Sequence, residues 1–181
     1  LVFDDDGDSV ANEDDLCPNT PTGSLVDLDG CASSQVDSDN DGYNDDVDAF
    51  PSDGSQWSDQ DGDGYGDNPT GNMSDAFPSD GTQWSDQAGD GYGDNLNGTY
   101  GDAFPTDSTQ WSDSDGDGYG DNPSGSNPDL WPNDATQWAD QDGDGYGDNS
   151  SAPNGDMFPT DATQWADQDG DGYGDNPTGT T

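Results

Sequence analysis

The residues able to do chemistry in this chain are aspartates, and they stand in a fixed register. Asp59, Asp61, Asp63 and Asp67 occupy positions 1, 3, 5 and 9 of a loop, with Gly64 at position 6 and Tyr65 at position 7. Such spacing suits a hard divalent cation, because a chain curling round an ion turns alternate side chains inward. Calcium takes six to eight oxygens, and the position 7 residue adds its backbone carbonyl. Glycine at position 6 permits the sharp turn. Aspartate fits a tight loop better than glutamate, whose carboxylate is one methylene further out, and Glu13 is the one glutamate in the chain.

The elements that must position these loops repeat. Tyr65, Tyr92, Tyr119, Tyr146 and Tyr173 are spaced by 27 residues, as are Trp57, Trp84, Trp111, Trp138 and Trp165. A fixed period of this length predicts stacked units rather than one globular core. Loops with the same ligand set begin at Asp113 (Asp115, Asp117, Tyr119, Asp121) and at Asp140 (Asp142, Asp144, Tyr146, Asp148). The loop Asp86, Asp90, Tyr92, Asp94 has Ala88 at position 3, which predicts a weaker or water-completed site. The last loop, Asp167, Asp169, Asp171, Tyr173 and Asp175, has no closing aspartate after it.

A shorter loop calibrates the closure. Asp37, Asp39, Asp41, Tyr43, Asp45 and Asp48 fill positions 1, 3, 5, 7, 9 and 12 without interruption, and Tyr43 precedes Tyr65 by only 22 residues. The motif Asp48-Ala49-Phe50-Pro51 recurs around Asp75, Asp102, Asp129 and Asp156. The five extra residues of each long repeat therefore fall between positions 9 and 12. These four aspartates are expected to close their loops, with the insertion looped outward.

Composition narrows the function classes. The chain carries 43 acidic residues and no Lys, Arg or His, a formal charge of −43. Internal salt bridges are impossible, and self-repulsion opposes a compact state unless cations enter it. Nucleic acid is excluded as a partner, and histidine or lysine catalysis is excluded too, so no enzyme is expected. No apolar run is long enough for a membrane helix. About three large aromatics per repeat are too few to offset the entropy of ordering it, so calcium is expected to be a condition of folding. The chain begins at Leu1 and stops soon after a repeat has begun, which reads as a window from a longer protein.

Residues 1–36 differ from the rest. Asp4, Asp6, Asp8, Val10, Asn12 and Asp15 fill positions 1, 3, 5, 7, 9 and 12 of a first loop. Cys17 and Cys31, flanked by Pro and Gly turns, suit one local disulfide in an oxidising compartment, the alternative being two free thiols. The pattern D-x-D-G-D-x-x-x-N-x-x-D-x-C-P-x-T-P, followed by V-D-x-x-G-C and Q-x-D-x-D-x-D-G, resembles the thrombospondin type 3 repeat. The match is close over residues 3–50 and looser beyond, and the family has no insertion before the closing ligand. The resemblance implies that Asp4, Asp6, Asp8, Asn12 and Asp15 bind calcium, that Cys17 and Cys31 are bonded, and that wrapped ions replace a hydrophobic core.

Three further features recur. Asp53 with Gln56, and likewise Asp80, Asp107, Asp134 and Asp161 with their glutamines, read either as capping boxes or as ligands of a second ion. As capping boxes each would open a single helical turn and swing the tryptophan under the next loop. The tryptophans read as packing wedges between repeats in preference to sugar platforms. Asn72, Asn97 and Asn149 head N-glycosylation sequons within the insertions.

The fold class expected is an irregular, calcium-stabilised repeat array of thrombospondin type 3 kind, with little regular helix or strand, extended as a rod or solenoid. Its segments are 1–36, 37–58, 59–85, 86–112, 113–139, 140–166 and 167–181. A disordered polyanion and a salt-adapted globule fit poorly, since the aspartates keep phase with glycines and aromatics and no ordinary core is present. EF-hands and dockerins need flanking amphipathic helices that the Pro and Gly density forbids, and the nonapeptide β-roll needs a nine-residue beat. The expected function is structural: a secreted or surface-exposed, calcium-rigidified stalk, spacer or fibril segment, with calcium and copies of itself as partners. A second reading is a calcium-dependent adhesion module binding glycans or a partner protein, and a third is a mineral-nucleating or calcium-buffering polyanion.

Overall fold

The computed structural model describes residues 3–179; the ends of the first and last segments, residues 1–2 and 180–181, lie outside the described residues. Among these there is no helix and no strand longer than an isolated bridge. No helix is long and apolar enough to cross a membrane. The chain forms two units, Leu1–Ser85 and Asp86–Thr181. The division falls at a repeat boundary, at the start of the loop that carries Ala88.

Within the first unit, the loop 59–67 shows how one repeat is built. Both oxygens of Asp59 accept backbone N–H groups, from Gly62 at 2.7 Å and Gly64 at 3.0 Å. These two glycines have φ of +82° and +92°, a region that side-chain-bearing residues rarely enter. The Asp67 N–H donates to Ser58 O at 2.9 Å and shuts the ring. The insertion then leaves and returns at a single residue, Gly66, whose N–H donates to Met73 O and whose carbonyl accepts the Asp75 N–H, each at 2.9 Å. A parallel bridge between Gly66 and Ser74 marks the junction.

This junction brings the closing aspartate of a long repeat to where a short repeat has it. In the uninterrupted loops the closing N–H also donates to the position 8 carbonyl, Asp15 to Ala11 and Asp48 to Asn44. Extra chain is accommodated without moving the closing aspartate. The segment after Asp75 folds back through a turn at 77–80, and the Ala76 N–H donates to Trp84 O at 3.0 Å. Trp84 is thereby laid flat on Tyr65, with ring centroids 5.3 Å apart and planes 7° from parallel.

The second unit repeats the plan. Asp102, Asp129 and Asp156 donate their N–H groups to Gly93, Gly120 and Gly147, the position 8 residues. Stacks join Tyr92 to Trp111, Tyr119 to Trp138 and Tyr146 to Trp165. The expected tryptophan placement is corrected here: each ring packs on the tyrosine of the loop its own segment has just closed, because the Ala76-to-Trp84 type of bond turns the segment backwards.

The interior is polar. Among the described residues, Ala32 alone of the apolar side chains is buried, while Leu16, Leu25, Leu28 and Val47 are exposed. What is buried instead is one glutamine and one aspartate per repeat: Gln56, Gln83, Gln110, Gln137 and Gln164, and Asp48, Asp75, Asp102, Asp129 and Asp156. The helix-opening capping box does not form. Gln56 N–H does donate to Asp53 O in a single turn, but the Gln56 side chain reaches forward to the 68–72 turn rather than back to Asp53.

Candidate metal centres

Six acidic clusters among the described residues bring one carboxylate oxygen from each member to within 4.8 Å of the others, among them Asp4/Asp6/Asp8, Asp37/Asp39/Asp41, Asp59/Asp61/Asp63, Asp113/Asp115/Asp117 and Asp140/Asp142/Asp144. Hydrogen bonds within the loop orient them. Position 5 accepts the position 7 N–H, as Asp63 does from Tyr65 at 2.9 Å and Asp117 from Tyr119 at 2.9 Å. Position 9 braces the ring from outside: Asp67 accepts the Gln60 N–H, Asp94 that of Gln87, Asp121 that of Ser114 and Asp148 that of Gln141. Asp45 accepts both the N–H and the hydroxyl of Ser38, and Asn12 Oδ1 accepts the Asp5 N–H.

One set of oxygens is left over. Oδ2 of Asp39, Asp41 and Asp48 is buried with no hydrogen-bond donor, and so is Oδ2 of Asp61, Asp63 and Asp75. The same holds for Asp115, Asp117 and Asp129, and for Asp142, Asp144 and Asp156. Positions 3, 5 and the closing aspartate thus point buried, unanswered carboxylate oxygens inward, loop after loop. The other oxygen of each closing residue is fixed by the N–H two residues on, Phe50, Phe77, Trp131 or Phe158, at 2.7–2.8 Å.

A buried carboxylate without a partner is unfavourable by several kcal/mol or more. Asp75, Asp102, Asp129 and Asp156 are each at most 4% exposed, and the chain has no basic side chain to answer them. Burial pushes all four carboxyls above the usual carboxylate range, and neighbouring aspartates add to it; for Asp75 these are Asp63, Asp61 and Asp67. Asp39, Asp117 and Asp142 are raised by burial in the same way. Buried carboxylate oxygens facing one another without a donor are an arrangement that a bound cation would relieve, and these clusters could hold metal ions. Carbonyls of Val10, Tyr43, Tyr65, Tyr92, Tyr119, Tyr146 and Tyr173 accept no hydrogen bond among the described residues, so position 7 oxygens remain available.

Two loops depart from the set. In the loop starting at Asp86, the unanswered buried oxygens are those of Asp90 and Asp102 only, because Ala88 supplies none. In the last loop Asp167 still accepts from Gly170 and Gly172, but Asp169, Asp171 and Asp175 are exposed and Tyr173 is 67% exposed.

The first loop closes through Asp15 in the same way, its Oδ1 accepting the Cys17 N–H at 2.8 Å, but its surroundings differ. Asp6 Oδ1 and Asp8 Oδ2 are the unanswered oxygens. Asp6 Oδ2 accepts the Thr20 N–H at 2.8 Å, which holds the Asp6 carboxyl below its ordinary range. The disulfide Cys17–Cys31 joins Cα atoms 5.0 Å apart. It holds Gly30 so close to Asp15 and Asp8 that a Cβ there would strike the Asp15 carboxylate.

The candidate glycosylation sites differ in what their amides do. Asn97 is exposed; Asn72 is exposed and donates to both Asp53 oxygens at 3.2 Å; Asn149 donates to Thr136 O at 2.9 Å. Asn149 is the counterpart of Asn68, Asn122 and Asn176, whose amides make the same strut to Ser55, Thr109 and Thr163. Asp53, read either as a cap or as a second-ion ligand, uses Oδ1 for the N–H and hydroxyl of Ser55, and these bonds lower its pKa.

Sequence reasoning gave the glutamines a capping role and missed their forward bonds to the next turn. Their signal was present, since glutamine precedes every tryptophan of the 27-residue series. No protein-family model matches the chain, and no curated protein is detectably similar to it.

Proposed function

We propose that the chain is a calcium-binding structural repeat segment of thrombospondin type 3 kind, without catalytic activity. It acts outside the cell, secreted or surface-anchored, as a calcium-rigidified rod serving as stalk, spacer or filament segment. The observation that carries this reading is the buried closing aspartate with an unanswered Oδ2, present in a chain with no basic residue.

Calcium is favoured over other cations by the donor set. All ligands are oxygens, the chain has no histidine, and both cysteines are in the disulfide, so zinc and copper lack their preferred partners. Opposite oxygens round calcium lie about 4.6–5.2 Å apart, and six donors per loop fall within its range of six to eight, in a flexible loop that does not impose the strict octahedron magnesium demands. Each complete loop supplies the side chains at positions 1, 3 and 5, the position 7 carbonyl, position 9 through water, and the closing carboxylate. Weak sites of the extracellular class suffice where calcium is millimolar. Repeats that each bury a neighbour's face also favour head-to-tail or lateral self-assembly.

Titration calorimetry combined with small-angle scattering tests the reading. The expected result is about one calcium per complete loop, with an elongated, stiff particle in calcium that becomes flexible in chelator. Scattering curves that coincide in calcium and chelator would count against a calcium-rigidified stalk.

A further inference from the structure

We propose that the cleft beside Trp131 is a binding site for a neutral saccharide. In the second unit a cavity of about 360 Å³ opens between Trp131, Asp134, Gln137, Tyr146, Pro153 and Asn154. That volume lies within the ~300–1,000 Å³ range of small-molecule sites.

Two departures from the repeat meet at this cleft. The residue after the Asp-Ala or Asp-Met pair is Phe50, Phe77, Phe104 or Phe158 elsewhere, but Trp131 here. The residue four beyond the turn asparagine is Asn72, Thr99 or Ser126 in the other complete insertions, each with a side-chain donor, but Pro153 here. Proline has neither an N–H nor a polar side chain. One substitution widens the aromatic surface and the other puts an apolar ring where its counterparts carry a side-chain donor.

The backbone N–H groups of Asn72 and Ser126 donate to the Ser55 and Thr109 hydroxyls, a bond that Pro153 is unable to make. The glutamine differs too, although Pro153 keeps its carbonyl. Gln56 Nε2 donates to the carbonyls of Asn68 and Asn72, and Gln110 Nε2 to those of Asn122 and Ser126. Gln137 Nε2 donates to Asn149 O alone, at 3.1 Å. A side chain only 3% exposed therefore has one amide N–H without an acceptor, and it lines the cavity. Across the cleft, Asp134 accepts from Thr136 at Oδ1 only, whereas both oxygens of its counterpart Asp53 take the Asn72 amide. The wall presents one free donor, one free carboxylate oxygen and an aromatic face.

That combination selects the ligand class. Anions are repelled by a chain of charge −43. An ammonium or guanidinium group suits Trp131 and Asp134, but it has only donors and leaves the Gln137 N–H unanswered. A hydroxyl donates to Asp134 and accepts from Gln137 at once. A ring carrying several hydroxyls, with a C–H face laid on Trp131, satisfies all three, and Tyr146 is held at the rim by its stack on Trp165.

The test uses the calcium-loaded chain on an array of neutral, sialylated and sulfated glycans, with the best neutral ligand followed by saturation-transfer NMR. Tetramethylammonium is the competitor. Trp131→Phe and Pro153→Asn restore residues that other repeats carry, and unfolding midpoints in calcium confirm that both variants fold. The expected result is retention of neutral glycans only, weakened at least ~10-fold in each variant and unaffected by tetramethylammonium. The proposal is overturned if no neutral glycan is retained, if both variants bind as the parent does, or if tetramethylammonium occupies the cleft and saccharides do not.

Discussion

Gln56 clamps the backbone of Asn68 from both sides: its Oε1 accepts the Asn68 N–H and its Nε2 donates to the Asn68 carbonyl, each at 2.9 Å. The pair imitates one rung of a β-ladder with a side chain in place of a strand. It recurs as Gln110 with Asn122, Gln137 with Asn149 and Gln164 with Asn176. An apolar side chain could fill the same volume but would leave peptide groups without partners. The innermost residue of each repeat is therefore an amide.

Replacing that amide should be costly. Gln110→Leu keeps the volume but strips partners from the Asn122 N–H and the Asn122 and Ser126 carbonyls. At about 1–3 kcal/mol per unsatisfied buried group, a destabilisation of about 3–5 kcal/mol is expected. Chemical unfolding in saturating calcium measures it.

Ala88 marks a site that can be improved. Ala88→Asp supplies the missing position 3 oxygen between Asp86 and Asp90, and calorimetry should show that loop tightening by about tenfold or more. Conversely, Asp115→Ala should weaken the loop beginning at Asp113 to the level of the unmodified Ala88 loop, leaving the count of tight sites lower by one.

Acid should oppose the metal. The carboxyls of Asp75, Asp102, Asp129 and Asp156 are raised above 3.8. In the metal-free chain such groups favour folding below their unfolded pKa, and that contribution is lost as pH rises through the folded value. The ion binds the deprotonated form, so its affinity falls as pH drops through the same raised values. Calorimetry in buffers of different ionisation enthalpy should show protons released on binding, and more of them at about pH 5 than at pH 7.

Reducing the disulfide should act locally. For a loop of this size the bond is worth about 3 kcal/mol, and it joins Cys17 to Cys31 beside the first loop alone. Limited proteolysis after reduction is expected to open cleavage within residues 1–36 while the Tyr119–Trp138 and Tyr146–Trp165 repeats stay protected.

The ring of each loop could be read from the sequence because its determinants are local: aspartates at alternate positions and glycines at the two positive-φ turns. The return of Asp75 after an insertion was legible for the same reason, through the constant Asp-Ala-Phe-Pro motif. The roles of Gln56 and Trp57 were not. An Asp-x-x-Gln spacing has a familiar local meaning at helix starts, and nothing local reveals that the amide instead meets a turn 12 residues ahead. Nor does the spacing reveal that Trp57 lies back on Tyr43, at 5.4 Å between centroids; that direction is set by the bond from the Ala49 N–H to Trp57 O.

The central claim is that calcium folds these repeats, and the stacked Tyr–Trp pairs supply the reporter. Near-UV circular dichroism during calcium titration, with magnesium as control and a chelator to reverse it, tests the claim most directly. The account predicts a tryptophan signal that appears with calcium, fails to appear with magnesium and vanishes in chelator. A spectrum that stays flat while calorimetry registers bound calcium would contradict it.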